Sequence, residues 1–252
     1  MSSVKDQLEV LARFAGVILA SVPSTTIVPL PLTLALTRRY RREELLKRLH
    51  LMVPWAAFCR RYLLGIDLEV SGREHLPRPS RGHLYVSNHQ SWADILVLME
   101  ALDTVAFLSK TLVKHIPNIG RCAYAGGSIY VARNSAESRR QALREMLRMC
   151  KESTAVVVFP EGTRSADGEL QNIHAASLRA AYGHQLRVVP VAIDGSWRVL
   201  PKTMDRLVPG RVAVEIGPSL DPAGFADATA WTEAVWGRVK ELHTAARARA
   251  RR

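Results

Sequence analysis

From about Gly65 onward, short apolar runs alternate with stretches whose apolar residues recur at helical spacing. Leu84-Tyr85-Val86, Val105-Ala106-Phe107, Ser128 to Val131, Ala155 to Phe159, Val188 to Ile193 and Val212 to Ile216 predict strands. Several are apolar throughout rather than alternating with polar residues, the pattern of a strand covered on both faces. Ala93 to Leu102, Ser135 to Lys151 and Ile173 to Tyr182 predict helices. In the second of these, Asn134 stands three residues before Glu137, which predicts a capping box. Leu143, Met146, Leu147 and Cys150 share one face of it, and Arg139, Arg140, Arg144 and Arg148 take the rest. Those arginines predict a solvated face rather than a binding surface. Alternation of this kind implies an α/β layer structure. No internal repeat is present. The alternating Ala and Arg from Ala245 to Arg252 predict a frayed basic end.

The first 64 residues follow a different pattern. No charged residue occurs from Phe14 to Thr37. A continuous helix of that length would reach roughly 36 Å, enough to cross a bilayer core. Pro23, Pro29 and Pro31 disfavour an uninterrupted helix there, and the segment lacks the basic start and small-residue cleavage site of a removed signal peptide. Arg38, Arg39, Arg41 and Arg42 follow it, a cluster that would stay on the cytoplasmic side. From Leu45 to Leu64, Leu46, Leu49, Val53, Trp55 and Phe58 are interleaved with Lys47, Arg48, Arg60 and Arg61, which suits a helix in the headgroup layer. A helical hairpin packed on the chain's own core is the alternative, and whether residues 14–37 span the membrane or lie in its interface stays open. The chain thus divides into a membrane-associated helical segment, 1–64, and an α/β domain, 65–252, with a basic C-terminal helix or tail. The expected location is the cytoplasmic face of a membrane, the inner one in a bacterium.

Composition changes the picture in two respects. The 252 residues carry a formal net charge of +12 with hydrophobic content of 48% and aromatic content of 6%. So basic a chain implies an anionic partner, either nucleic acid or anionic lipid. With few aromatics and no helix-turn-helix, zinc or RNP pattern, the lipid is favoured and nucleic acid is not expected. Cys59, Cys122 and Cys150 are widely spaced, which predicts buried filler in a reducing compartment rather than a disulfide framework or a metal site.

Two clusters carry chemistry. Asn88-His89-Gln90-Ser91-Trp92-Ala93-Asp94 follows a strand, so His89 sits where the chain surfaces, and Asp94 falls in the first turn of the next helix. A carboxylate bonded to one imidazole nitrogen fixes the tautomer and leaves the other nitrogen free to act as a base. No G-x-S-x-G elbow or H-E-x-x-H motif is present, so the hydroxyl to be activated belongs to the substrate. The second cluster, Phe159-Pro160-Glu161-Gly162-Thr163-Arg164-Ser165, ends an apolar strand at the edge where α/β proteins bind ligands. Gly162 allows close backbone approach, and Arg164 can fork onto a phosphate. Arg133, Lys110 and Lys114 each follow another strand at that edge. Any one of them alone would be an ordinary loop charge; delivered together they predict an anion site.

These residues resemble the lysophosphatidate acyltransferase (1-acyl-glycerol-3-phosphate acyltransferase) family of the glycerolipid acyltransferase superfamily. Asn88-His89 through Asp94 is similar to its first block and Gly127 to Arg133 to its second. Phe159 to Ser165 is similar to the third and Val188 to Ile193 to the fourth, over roughly residues 65 to 220. The resemblance implies a mixed β-sheet flanked by helices behind an N-terminal two-helix membrane motif. It implies His89 as general base, Asp94 as its orienting partner, and Lys110, Arg133, Glu161, Gly162, Thr163 and Arg164 as the holders of phosphate and glycerol. It implies no cofactor and no metal; the co-substrate is an acyl thioester of coenzyme A or acyl carrier protein. The expected reaction acylates the sn-2 hydroxyl of lysophosphatidate, giving phosphatidate. After Asp167-Gly168 the family shows Phe-Lys and then Gly, where this chain has Ile173-His174 and Ala176, and that departure leaves the acceptor open. The alternatives are another lysophospholipid, a lyso-aminolipid acceptor, or hydrolysis of the thioester or lipid by water. His174 itself is expected to be a surface helix residue.

Overall fold

The computed structural model describes residues 4–26, 50, 52–103, 105–116, 120, 123, 127–132 and 134–252. Its centre is a seven-stranded mixed sheet of order β1-β7-β6-β2-β5-β3-β4. The strands are β1 Ile66–Ser71, β2 His83–Ser87, β3 Ala106–Lys110, β4 Ile129–Val131, β5 Val156–Val158, β6 Arg187–Asp194 and β7 Gly210–Ile216. β6, β2, β5, β3 and β4 run parallel to one another, and β7 turns back antiparallel to β6, carrying β1 parallel to itself. The sheet order places β2 centrally, between β6 and β5.

Unbroken apolar strands are explained by cover on both faces. Tyr85, Val157, Val189, Val191, Ile193, Val212 and Val214 point to one cluster, where α3 (Ala93–Leu102) contributes Val97, Leu98 and Leu102. Leu84, Val86, Val156, Val158 and Val188 point to the other. There α4 (Ala136–Glu152) supplies Met146 and Cys150, α5 (Ala176–Gly183) Leu178, and α7 (Ala228–Ala250) Trp231, Val235 and Val239. The short α6 (Ser196–Val199) follows β6. Cys59 and Cys150 are buried thiols, and burial pushes the Cys150 thiol up to about 12. Cys122 lies outside the described residues.

Several expectations need correction. β1 was not expected, although Ile66-Asp67-Leu68-Glu69-Val70 alternates with period two; it lies at the sheet's edge, where one face is only partly covered. The cap of α4 is Ser135 rather than Asn134: its hydroxyl accepts from the Ser138 N–H at 3.1 Å. The capping-box acid Glu137 instead pairs outward with Arg140 and Arg144, on the solvated face the pattern predicts. α5 begins at Ala176 rather than Ile173, which leaves His174 exposed in the preceding loop, its N–H bonded to the Pro160 carbonyl at 2.8 Å. The Ala245-to-Arg252 end is not frayed. Helix α7 runs to Ala250, with Ala246 and Ala250 buried against Ala213 of β7.

At the N-terminus, α1 spans Val4–Thr26 and passes through Pro23, where an interruption was expected. One missing N–H does not end a helix held elsewhere by packing. Val10 and Val17 are buried, Leu63 closes over Gly16, and the Arg13 guanidinium donates to the Leu63 carbonyl at 3.0 Å. Those contacts are to α2, residues 52–63, whose last turn Cys59–Leu63 is π-helical. α2 is held in turn by Arg60, which pairs with Glu100 of α3 at 2.6 Å. No helix among the described residues is long and apolar enough to cross a membrane. The basic cluster Arg38 to Arg42, and residues 27–37 of the uncharged run that precedes it, lie outside the described residues.

Candidate active site

β2, β3, β5 and β6 are parallel, so their carboxyl ends open onto one edge of the sheet. The segment 88–91 leaves β2 there, and each of its four residues is pinned to a different place. The Asn88 amide extends the sheet by one false rung, donating to the Ile193 carbonyl and accepting from the Ile193 N–H, both at 2.9 Å. The His89 N–H donates to Glu161 Oε1 at 3.1 Å, and its carbonyl accepts from the Ser165 N–H at 2.8 Å. The buried Gln90 amide donates to Asp194 Oδ1 and to the Gly168 carbonyl, each at 3.1 Å. The Ser91 hydroxyl donates to the Leu200 carbonyl at 2.7 Å, which disposes of it as a nucleophile.

On this fixed loop His89 Nδ1 lies 2.8 Å from Asp94 Oδ2. The same oxygen accepts the N–H groups of Gln90 at 2.7 Å and Ser91 at 2.9 Å. One fully buried carboxylate therefore sets the imidazole tautomer and the loop backbone together, leaving Nε2 available as a proton acceptor. The other oxygen, Oδ1, is buried without a hydrogen bond. Phe159 stacks on the imidazole, ring centroids 4.1 Å apart and planes 18° from parallel. The imidazole keeps 18% of its side-chain surface exposed against none for Asp94, so the ring can be reached from outside and its carboxylate partner cannot.

The turn after β5 forms the neighbouring wall. The Gly162 N–H closes it on the Phe159 carbonyl at 3.0 Å, and φ of +68° at Gly162 is the left-handed conformation glycine adopts without steric cost. Glu161 does not face a ligand, contrary to the sequence expectation. It is 3% exposed and both its oxygens are used, Oε1 by the His89 N–H and Oε2 by the Gln171 N–H at 3.1 Å. Burial pushes its carboxyl up to about 7, only partly offset by those two bonds. Glu161 thus braces the histidine loop.

Arg164 is a better ligand group. Its guanidinium lies 5.2 Å over the Trp92 ring, and Nη1 is buried without a hydrogen-bond partner. Burial lowers its affinity for a proton, against the pull of the nearby Asp94 charge. A desolvated, half-covered guanidinium with an unused donor suits an incoming anion. Thr163 is exposed beside it. Lys110 ends β3 at the same edge and is exposed, with Lys114 in the 3₁₀ turn Thr111–His115 that follows. Arg133 lies outside the described residues. No cluster of side chains able to hold a metal occurs among the described residues.

The Phe159 stack and the double duty of Asp94 were not read from the sequence. The only local sign of either was that Phe159 closes a strand otherwise made of Val.

The sequence model of the acyltransferase family matches residues 67–194. A 1-acyl-sn-glycerol-3-phosphate acyltransferase of Chlamydomonas reinhardtii is 30% identical over 226 residues, covering 88% of this chain and 66% of its own length. The chloroplastic acyltransferase LPAT1 of Arabidopsis thaliana is 33% identical over 147 residues, 58% of this chain and 41% of that protein. The chain therefore spans less than two thirds of the length of these curated relatives. Among solved structures, the 1-acyl-sn-glycerophosphate (LPA) acyltransferase PlsC from Thermotoga maritima superposes with a TM-score of 0.78. It shares 27% identity, and the match covers 96% of this chain and 95% of that one.

Proposed function

The chain belongs to the acyltransferase family, and from that premise we propose that it moves a fatty acyl chain from a thioester of coenzyme A or acyl carrier protein to the free hydroxyl of lysophosphatidate, giving phosphatidate. The observation that carries the chemistry is the His89–Asp94 pair on a loop clamped at four points, with an open imidazole face. His89 Nε2 takes the hydroxyl proton as the oxygen attacks the thioester carbonyl. The carbon–sulfur bond then breaks, and the thiolate leaves and is protonated from the imidazolium. Asp94 stabilises that imidazolium without itself becoming protonated. The thioester is already activated, so no metal or cofactor is called for.

The acceptor is held by its phosphate. Arg164, with Nη1 unused, is the principal anchor, and Lys110 adds charge from the adjacent strand end; Arg133 follows β4 in the sequence and is assigned the same role. Positioning of this kind supplies effective molarities of about 10⁵–10⁸ M. Relatives named as acyltransferases for 1-acyl-sn-glycerol-3-phosphate support this acceptor.

Access to such a substrate implies a lipid surface. Val4, Leu8, Leu11 and Leu19 lie along one exposed face of α1, with Phe58 and Tyr62 exposed on α2. We assign this face to the cytoplasmic leaflet of a membrane containing anionic lipid, to which the net charge of +12 also draws the protein.

The test is to incubate the purified protein with lysophosphatidate and each thioester and to identify phosphatidate by mass spectrometry. His89→Ala should lower kcat by about 10²–10⁴-fold; retention of a tenth of the rate would remove the base assignment. Arg164→Ala should raise KM for lysophosphatidate far more than for a phosphate-free lysolipid. Release of free fatty acid at the same rate with and without acceptor would mark a hydrolase instead.

A further inference from the structure

Among the four clamps on the histidine loop, the one at Gln90 stands apart because it ends in a cluster of several charged side chains. Asp194, the last residue of β6, is 0% exposed in a strand whose preceding residues, apart from Arg187 at its start and Pro190, are aliphatic. An ionised carboxylate there is costly unless fully partnered, and packing alone would be served by another valine. Its charged partners come from two helices. His243 Nε2 of α7 is 3.6 Å and Arg247 Nε 3.8 Å from Asp194 Oδ1, and Arg198 of α6 reaches Oδ2 at 3.3 Å. Arg247 also donates to the Gly168 carbonyl at 2.9 Å and pairs with Glu169 at 2.8 Å.

Gln90 closes the network. Its amide has two hydrogens, and Asp194 Oδ1 and the Gly168 carbonyl receive both. His243 Nε2 lies 3.3 Å from the same nitrogen and 3.6 Å from Asp194 Oδ1, within ion-pair reach of that carboxylate when the imidazole is protonated. The Ser196 hydroxyl donates to Gln90 Oε1 at 3.4 Å. With every polar atom of its side chain engaged, Gln90 is locked, and its backbone N–H is one of the three donors on the Asp94 oxygen that orients His89. Any rotation of the Gln90 peptide disturbs that oxygen directly.

We infer that Asp194, His243 and Arg247 are positioning residues for the transfer reaction, acting on His89 through Gln90, and that the C-terminal helix is thereby a working part of the active site. The family match ends at Asp194, so His243 and Arg247 lie beyond it. The inference rests on the proposed transferase reading for its kinetic test and stands apart from it in its spectroscopic one.

The experiment measures kcat and KM for both substrates in the full-length protein. His243→Ala should lower kcat by about 10- to 100-fold, the scale of a small misplacement of a catalytic group, with KM within twofold of wild type. His243→Gln, which keeps a donor at similar reach, should recover most of that loss. In a Gln90→Met background, His243→Ala should cost nothing further, because the path to His89 is already cut. A loss expressed in KM, one that tracks the folded fraction by circular dichroism, or one that adds to Gln90→Met would overturn the inference. Arg247→Met, at a partly exposed site, serves if His243→Ala does not fold. Histidine ¹⁵N NMR supplies the readout that needs no turnover. The His89 titration midpoint should move in His243→Ala or Arg247→Met and stay put in the exposed control His184→Ala. If wild type forms no phosphatidate, the transferase reading falls and this titration alone decides; an unmoved midpoint in both variants overturns the positioning role.

Discussion

Glu161 shows how one buried group ties pH to stability. Its carboxyl is pushed up to about 7 by burial, from an ordinary value of 4.5. The folded protein thus binds a proton between those limits that the unfolded chain has released. Stability from this group is fully present below about pH 4.5 and is lost as pH rises through 7, by about 3 kcal/mol in all. Urea unfolding of wild type and Glu161→Gln across pH 5 to 8 should show a steeper decline for wild type. Parallel curves would mean that Glu161 titrates as an ordinary carboxylate. At the same scale, the Asp94 oxygen that meets His89 also holds two backbone N–H groups, so Asp94→Asn should lower activity without abolishing loop structure.

Among the elements, α7 does two separable jobs. Its N-cap is Asp227, whose carboxylate accepts from the Thr229 N–H at 2.7 Å and the Ala230 N–H at 2.9 Å. Asp227→Ala should cost about 0.5–2 kcal/mol in urea unfolding and leave kcat within twofold of wild type, since the cap lies far along the helix from His243. A tenfold kcat loss from the cap alone would show that helix stability, rather than the Asp194 contacts, governs the site. The far end of α7 explains why the sequence suggested fraying. Its residues offer no apolar group larger than Ala, yet Ala213 of β7 presents an equally small surface, so Ala246 and Ala250 fit closely. Arg249 then reaches Glu69 at 2.8 Å and Glu215 at 2.5 Å across the sheet. Such a match cannot be seen from one partner. β1 was missed for a related reason: its alternating pattern is that of an edge strand, whereas the other strands drew attention by being wholly apolar.

For the whole molecule, the proposed lipid contact combines the exposed apolar face of α1 with the excess positive charge. Leu8→Asp with Leu11→Asp removes two exposed anchors, each worth about 1.5–3 kcal/mol when fully buried, and adds two negative charges. Co-sedimentation with vesicles containing phosphatidate should fall by more than tenfold while circular dichroism is unchanged. Binding by wild type should also weaken as salt rises. Equal binding by the double variant would place the lipid contact elsewhere on the protein.

What the sequence by itself determined are the properties that depend on neighbours along the chain. Period and composition marked six of the seven strands and all three helices expected between them. The offset of Asp94 from His89 was enough to propose their pairing, because a carboxylate in the first turn of a helix can reach back to the preceding loop. What only the tertiary structure decided are pairings between residues distant in the chain. Glu161 turned from a ligand group into a brace because the turn after β5 lies beside the loop after β2. Gln90, Asp194 and His243 became one cluster because β2 adjoins β6 and α7 crosses them both. Local spacing carries no record of such neighbours, and burial, which sets the protonation of Glu161 and the demands of Asp194, exists only once the layers have closed.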